Sequence, residues 1–278
     1  MRLVWQLAAV AAVAFIGSLT VAAVEGNAVL TLLLGAVTAV LAVLVYRWVV
    51  RRTERREATE VAREEAANAT GRGVLIGVAL FGAVVVNLAL LGDYKVDGLG
   101  SVSSAVGLIG FMAAAAVTEE LLFRGVLFRI VEERLGTWLA LTLTGALFGL
   151  SHLTNPHASL WGALAIAIEA GGMLAAAYAA TRNLWVPIGL HFGWNFAESG
   201  IFSTGVSGND TKQGLLDATL SGPKLITGGD FGPEGSVYAV LFGLLAMIAF
   251  MWLARRRGHL LPRRGQRARA DATATVSR

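Results

Sequence analysis

Apolar residues along this chain run nearly unbroken for about twenty positions at a time, with polar breaks between the runs. A helix needs roughly 20 apolar residues to cross about 30 Å of hydrocarbon. Eight stretches meet or approach that length, at 3–24, 28–50, 74–92, 102–131, 137–153, 160–181, 184–202 and 236–254. The fourth is long enough to tilt or project past a bilayer, and the fifth is short. The pattern predicts an all-α fold, a polytopic membrane protein built as a bundle of about eight transmembrane helices. The first run passes straight into the second across Glu25-Gly26-Asn27, unlike a cleavable signal peptide.

The breaks have characters of their own. Residues 51–72 alternate Arg and Glu at three- and four-residue spacing, which predicts a solvated helix laced with weak ion pairs. Residues 203–235 are rich in Gly, Ser, Thr and Asp and are expected outside, as a lid or as a plain linker. The tail from Gly265 is expected to be disordered. The division is therefore an N-terminal helix pair with its charged linker over 1–73, a core over 74–254 and a basic tail over 255–278.

Composition narrows the class. The chain is 55% hydrophobic and 15% charged, and its mean hydropathy is +0.64. These values exclude a disordered chain, a soluble nucleic-acid binder and a secreted disulfide scaffold. Zero cysteines exclude thiolate ligands and thiol nucleophiles. With the N-terminus inside and eight spans, 20 of the 23 basic residues fall on the cytoplasmic face, leaving only Lys95, Lys212 and Lys224 outside. The net charge of +4 thus reflects topology rather than nucleic-acid binding. The expectation is a multi-pass protein of the plasma membrane with both termini cytoplasmic and the lipid bilayer as its surroundings.

Ionisable side chains in hydrocarbon are costly and mark function by default. Glu119 and Glu120 are neighbours and point about 100° apart on a helix, so they cannot share a face. Glu120 stacks on Arg124 four residues later, an ion pair that neutralises both. Glu119 is left without a helical partner, which suits a group that takes a proton from water and returns it. The bland alternative has both glutamates capping a helix end. His191 and Asn195 are also four apart and face one groove, where they could bind a metal, hold a water or donate to an oxyanion. His152 reaches the same place only if the fourth, fifth and seventh spans pack together. Glu169, mid-span among Ala and Gly, is a candidate histidine partner, substrate contact or interhelical hydrogen bond. His157 and His259 read as bland. There is no internal repeat and no Walker-type phosphate loop.

Taken in order, Glu119-Glu120-x-x-x-Arg124, Phe148-x-x-x-His152 and His191-x-x-x-Asn195 resemble the three motifs of the CAAX-protease and bacteriocin-processing (CPBP) family of intramembrane proteases. The resemblance covers about residues 100–200. It implies that Glu119 activates a water for attack on a peptide carbonyl and that His152 positions that water or shares its proton. His191 and Asn195 would stabilise the oxyanion, while Glu120 and Arg124 would hold the fourth helix in shape. The substrate implied is a membrane-associated peptide or protein. The family is often labelled metalloprotease, which makes Zn2+ the alternative, with His152, His191 and Glu119 as candidate ligands. There is no His-Glu-x-x-His pair, and glutamate–water chemistry is favoured. The stretch Gly228–Ser236 resembles a loop of some bacterial members and has no assigned task. Heavy Arg, Ala, Val and Gly usage points to a high-GC prokaryote, where prenylated Cys-a-a-X tails are not expected. Two other classes stay open: a transporter using Glu119, Glu169, His152 and His191 as an ion relay, and a partner protein with a silent site.

Overall fold

Apolar runs with no water to satisfy their backbone must hydrogen-bond internally, and helices do so segment by segment. The computed structural model describes residues 1–210 and 214–263, and every apolar run in it is helical. The helices are α1 (Arg2–Ala22), α2 (Ala28–Glu54), α3 (Ala66–Leu91), α4 (Val102–Leu135) and α5 (Thr137–Ser151). They continue with α6 (Leu160–Thr181), α7 (Trp185–Asn195, extended by a π turn over Phe196–Ile201) and α8 (Val237–Arg256). Side chains of Asn27, Ser101, Ser159 and Ser236 accept from the first turns of α2, α4, α6 and α8, each satisfying an N–H that the helix itself cannot.

Among the described residues, six helices are long and apolar enough to cross a membrane. The other two are α5 and α7. With 15 residues, α5 extends only about 22 Å at 1.5 Å per residue. Both short helices carry candidate site residues. Around them, Phe15, Leu33, Val37, Leu75, Leu90, Leu164, Leu245 and Ile248 are all exposed, an apolar surface suited to lipid. Close glycine contacts draw α7 onto α3. A Cβ on Gly77 would lie 2.3 Å from Leu190 O, and one on Gly193 would lie 2.4 Å from Val74 O, so neither position admits a side chain.

The arginine-rich end corrects one expectation. Residues 51–72 do not form a solvated helix. Helix α2 runs on to Glu54, the chain turns at Arg55 with φ 55°, Thr59–Val61 makes one 3-10 turn and α3 begins at Ala66. Arginines from other helices claim the acids first. Arg129 donates to Glu54 at 2.8 and 2.9 Å and to Gln6 at 3.0 Å, and Arg2 pairs with Glu54 and Glu133. Arg182 pairs with Glu132 at 2.5 Å. Arg56 and Glu60 do pair, at 2.8 Å, but within a turn that buries Glu60 under Tyr46. After α8 the chain folds back, and Leu261 N donates to Thr137 Oγ1 at 2.8 Å. The disorder expected from Gly265 lies outside the described residues.

The opposite end carries structure that no periodicity announced. Strand β1 (Tyr94–Leu99) pairs antiparallel with β2 (Leu216–Leu220), with an irregularity between Val96 and Gly98. The partners are over 100 residues apart in sequence, and each is short. The described part of 203–235 is therefore more than a linker. It holds β2, a turn of helix at Lys224–Thr227 and two 3-10 turns, and it buries Ser207, Phe231 and Glu234.

Candidate active site

Three helices widen into π turns beside the candidate residues: α4 over Leu121–Phe128, α6 over Ala167–Gly172 and α7 over Phe196–Ile201. Such turns rotate the side chains that follow and occur often at functional sites. Between α4, α5 and α7 lies a cavity of about 730 Å³, lined by Glu119, His152, His191 and Asn195 among others. Three separate helices thus deliver four of the predicted residues to one space.

Behind the cavity wall, Glu120 and Arg124 are buried, at 0% and 1% exposure. Glu120 Oε1 accepts from Arg124 Nη1 at 2.5 Å and lies 2.9 Å from His191 Nδ1. A carboxylate held by a guanidinium can only accept, so the His191 Nδ1 carries a proton and its Nε2 is left free among the described residues. The contact to His191 goes beyond the helix-holding role read from the sequence. Arg124 Nη2 donates to the carbonyls of Ala170 at 2.8 Å and Gly171 at 3.1 Å. Its guanidinium also sits 4.5 Å above the Phe148 ring.

Phe148 explains the spacing of its motif. Its carbonyl lies 2.8 Å from His152 Nδ1, four residues on, at the end of α5. A carbonyl also only accepts, so this bond leaves His152 Nε2 free. The same aromatic ring packs 4.9 Å from His152 and 6.0 Å from His191, centroid to centroid. One phenylalanine therefore positions both histidines and covers the arginine.

Three residues were not anticipated. Glu234 lines the cavity and is 2% exposed; it accepts from Trp194 Nε1 at 3.0 Å and from Ser207 N and Oγ, both at 2.7 Å. Trp194 lies between His191 and Asn195 on α7, so Glu234 pins that helix to the 203–235 loop. The stretch Gly228–Ser236 had been singled out in the sequence without a task, and this is where it makes contact. Glu198 lies inside the seventh apolar stretch, where its charge is the signal that could have found it; Ser207, in the polar loop, gives none. Glu169 is fully buried but does not line the cavity. It packs against α8, where a Cβ on Gly243 would lie 2.5 Å from its Cα and Cβ. The interhelical hydrogen bond is not made: neither carboxylate oxygen of Glu169 has a hydrogen-bond partner among the described residues.

Zinc requires three or four N, O or S ligands at about 2.0–2.3 Å. Among the described residues no three His, Asp or Glu side chains come together in that way. His152, His191 and Glu119 share the cavity without closing a ligand set, and the residues do not fit the metal.

This is a polytopic helical membrane protein whose cavity joins a carboxylate to two histidines and an amide. Residues 101–197 match the family model described as Rce1-like, type II CAAX prenyl endopeptidase Rce1-like. The resemblance to the CPBP family holds over the segment that supplies every residue from Glu119 to Asn195. No curated protein and no solved structure matches the chain.

Proposed function

We propose that this protein is an intramembrane endopeptidase that cleaves a membrane-associated protein or peptide with a water activated by Glu119, residues 74–254 forming its catalytic core. The observation that carries the reading is the meeting of Glu119, His152, His191 and Asn195 in one cavity, inside the segment that matches a CAAX endopeptidase family. Glu119 takes a proton from water while the water oxygen bonds to the scissile carbonyl carbon. Charge moves onto the carbonyl oxygen, where the Asn195 amide donates. His191 joins it when both ring nitrogens are protonated, with Nδ1–H on Glu120 and Nε2–H on the oxyanion. The C–N bond then breaks and Glu119 returns its proton to the departing amine. His152, its Nδ1 held by the Phe148 carbonyl, turns Nε2 toward the attacking water. Glu120 and Arg124 orient His191 and do not touch substrate.

The test is peptide cleavage by the purified protein in detergent. Glu119→Gln is expected to lose at least the roughly 10²-fold typical of a general base while its melting temperature stays that of the parent. Undiminished turnover in that variant would refute the assignment.

A further inference from the structure

The cavity has an open end and a closed one, and the two relate differently to the charges. Its rim is built by Gly26 between α1 and α2, Ser103 in the first turn of α4, and Asn209 and Asp210 of the outer loop. All of these belong to the end away from Arg2, Arg52, Arg129 and Arg182. That these arginines share one end is fixed by their contacts, since Arg2 reaches Glu54 and Glu133, Arg129 reaches Glu54, and Arg182 reaches Glu132 and the His259 carbonyl. Toward that end the cavity stops. Glu120 and Arg124 back it, and beneath them Leu121, Phe128 and Tyr46 are each 0% exposed. Tyr46 further ties α2 to α4 through its hydroxyl, whose single proton is shared between Glu60 and Gly125 O, 3.0 Å away. Among the described residues, no Arg or Lys lines the cavity at any depth.

The wall along α4 is apolar, made by Leu108, Phe111 and Met112, and Val206 packs against it from the outer loop. Phe111, on the same wall, is 42% exposed. A chain entering here passes the polar rim, then this apolar wall, and meets the polar residues at the bottom.

We infer that the site is loaded from the extracytoplasmic side, and that its substrate is the outer juxtamembrane segment of a membrane-anchored protein or peptide. Arginine-rich ends of multi-pass proteins stay in the cytoplasm, and the mouth lies at the other end. The apolar wall accepts apolar residues from the membrane edge of such a segment, while the polar floor takes the scissile peptide. A tail displayed in the cytoplasm meets the closed end. The substrate half of this inference rests on the proposed peptidase activity; the sidedness does not.

The absence of cysteine from the chain makes the test direct. Single variants Ser103→Cys and Asp210→Cys mark the rim, and Arg52→Cys marks the opposite end. A membrane-impermeant maleimide applied to intact cells is expected to label positions 103 and 210, and to label position 52 only after lysis. Labelling of 52 in intact cells, with 103 and 210 protected until lysis, would overturn the sidedness. A second arm uses the purified variants in detergent with a pool of quenched fluorescent peptides. Attaching a bulky polyethylene-glycol maleimide at 103 is expected to suppress cleavage, and attaching it at 52 is not. Suppression from 52 alone overturns the route of entry while leaving the peptidase reading intact. If the parent protein cleaves no better than Glu119→Gln, the peptidase reading and the substrate class fall together, and the labelling still decides the side.

Discussion

At the arginine end, Glu54 accepts from Arg129, Arg56 and Gln6, and Glu60 accepts from Arg56 and Tyr46. At the cavity, Glu119 faces open space with no hydrogen-bond partner among the described residues, and His152 and His191 each keep one ring nitrogen free. The residue types are much the same. What separates the two regions is saturation. A carboxylate whose lone pairs are all engaged by guanidinium and hydroxyl donors is an anchor, and removing one partner strands the rest. A carboxylate left facing a cavity can exchange a proton with water. Glu120 stands between these conditions, with Oε1 shared by Arg124 and His191 and Oε2 unpartnered within the described residues. It transmits order from the anchored side to the reactive one.

The contrast can be broken at the anchored end. Arg129→Met removes the cation shared by Glu54 and Glu60 and is expected to cost about 3–5 kcal/mol, as for other broken buried pairs. Thermal unfolding in detergent checks the loss, and turnover per folded molecule should survive at low temperature. Gly193→Leu tests the approach of α7 to α3. Its side chain would begin 2.4 Å from Val74 O, an overpacking expected to cost about 1–3 kcal/mol. Here turnover should fall as well, because His191 and Asn195 ride on the displaced helix. Glu234→Gln keeps one acceptor oxygen and sets an NH2 against the donors of either Trp194 or Ser207, a loss of about 1–3 kcal/mol. Melting temperature reads it, and a lowered kcat at unchanged fold would sharpen the part that loop plays in holding α7.

The smallest effect is on pH. Burial works to raise the Glu60 pKa, but the hydrogen bonds from Arg56 and Tyr46 outweigh it, and the carboxyl sits below its usual range. A depressed folded-state pKa gives stability that is present above the unfolded value and is lost as pH falls through the folded one. Melting temperature should therefore drop on acidification below the ordinary glutamate range, and the drop should shrink in Glu60→Gln. An equal drop in both proteins would contradict the assignment to Glu60.

Much of this was legible in the sequence, and the reasons are local. The apolar runs predict the helices because a spanning segment has to satisfy its own backbone. The spacing of Glu120 and Arg124 gives their ion pair because residues four apart are neighbours on any helix. The 51–72 segment misled for the complementary reason: its internal spacing favours a helix, yet Arg129 and Tyr46 compete for the same acids from distant parts of the chain. The π turns left no trace, since they arise from packing between helices. Glu234 was hidden likewise, being defined by Trp194 forty residues earlier. The contact of Glu120 with His191 required α4 and α7 to be side by side, which no local pattern states.

The central claim is that saturation divides anchoring carboxylates from the reactive one, and a crossed pair of variants tests it most directly. Melting temperature and peptide turnover per folded molecule are measured for Glu119→Gln and Glu60→Gln together with the parent. The account predicts that Glu119→Gln melts with the parent and does not cleave, whereas Glu60→Gln melts lower and cleaves. A Glu119→Gln protein that still cleaves, or a Glu60→Gln protein that melts with the parent and is inactive, would contradict it.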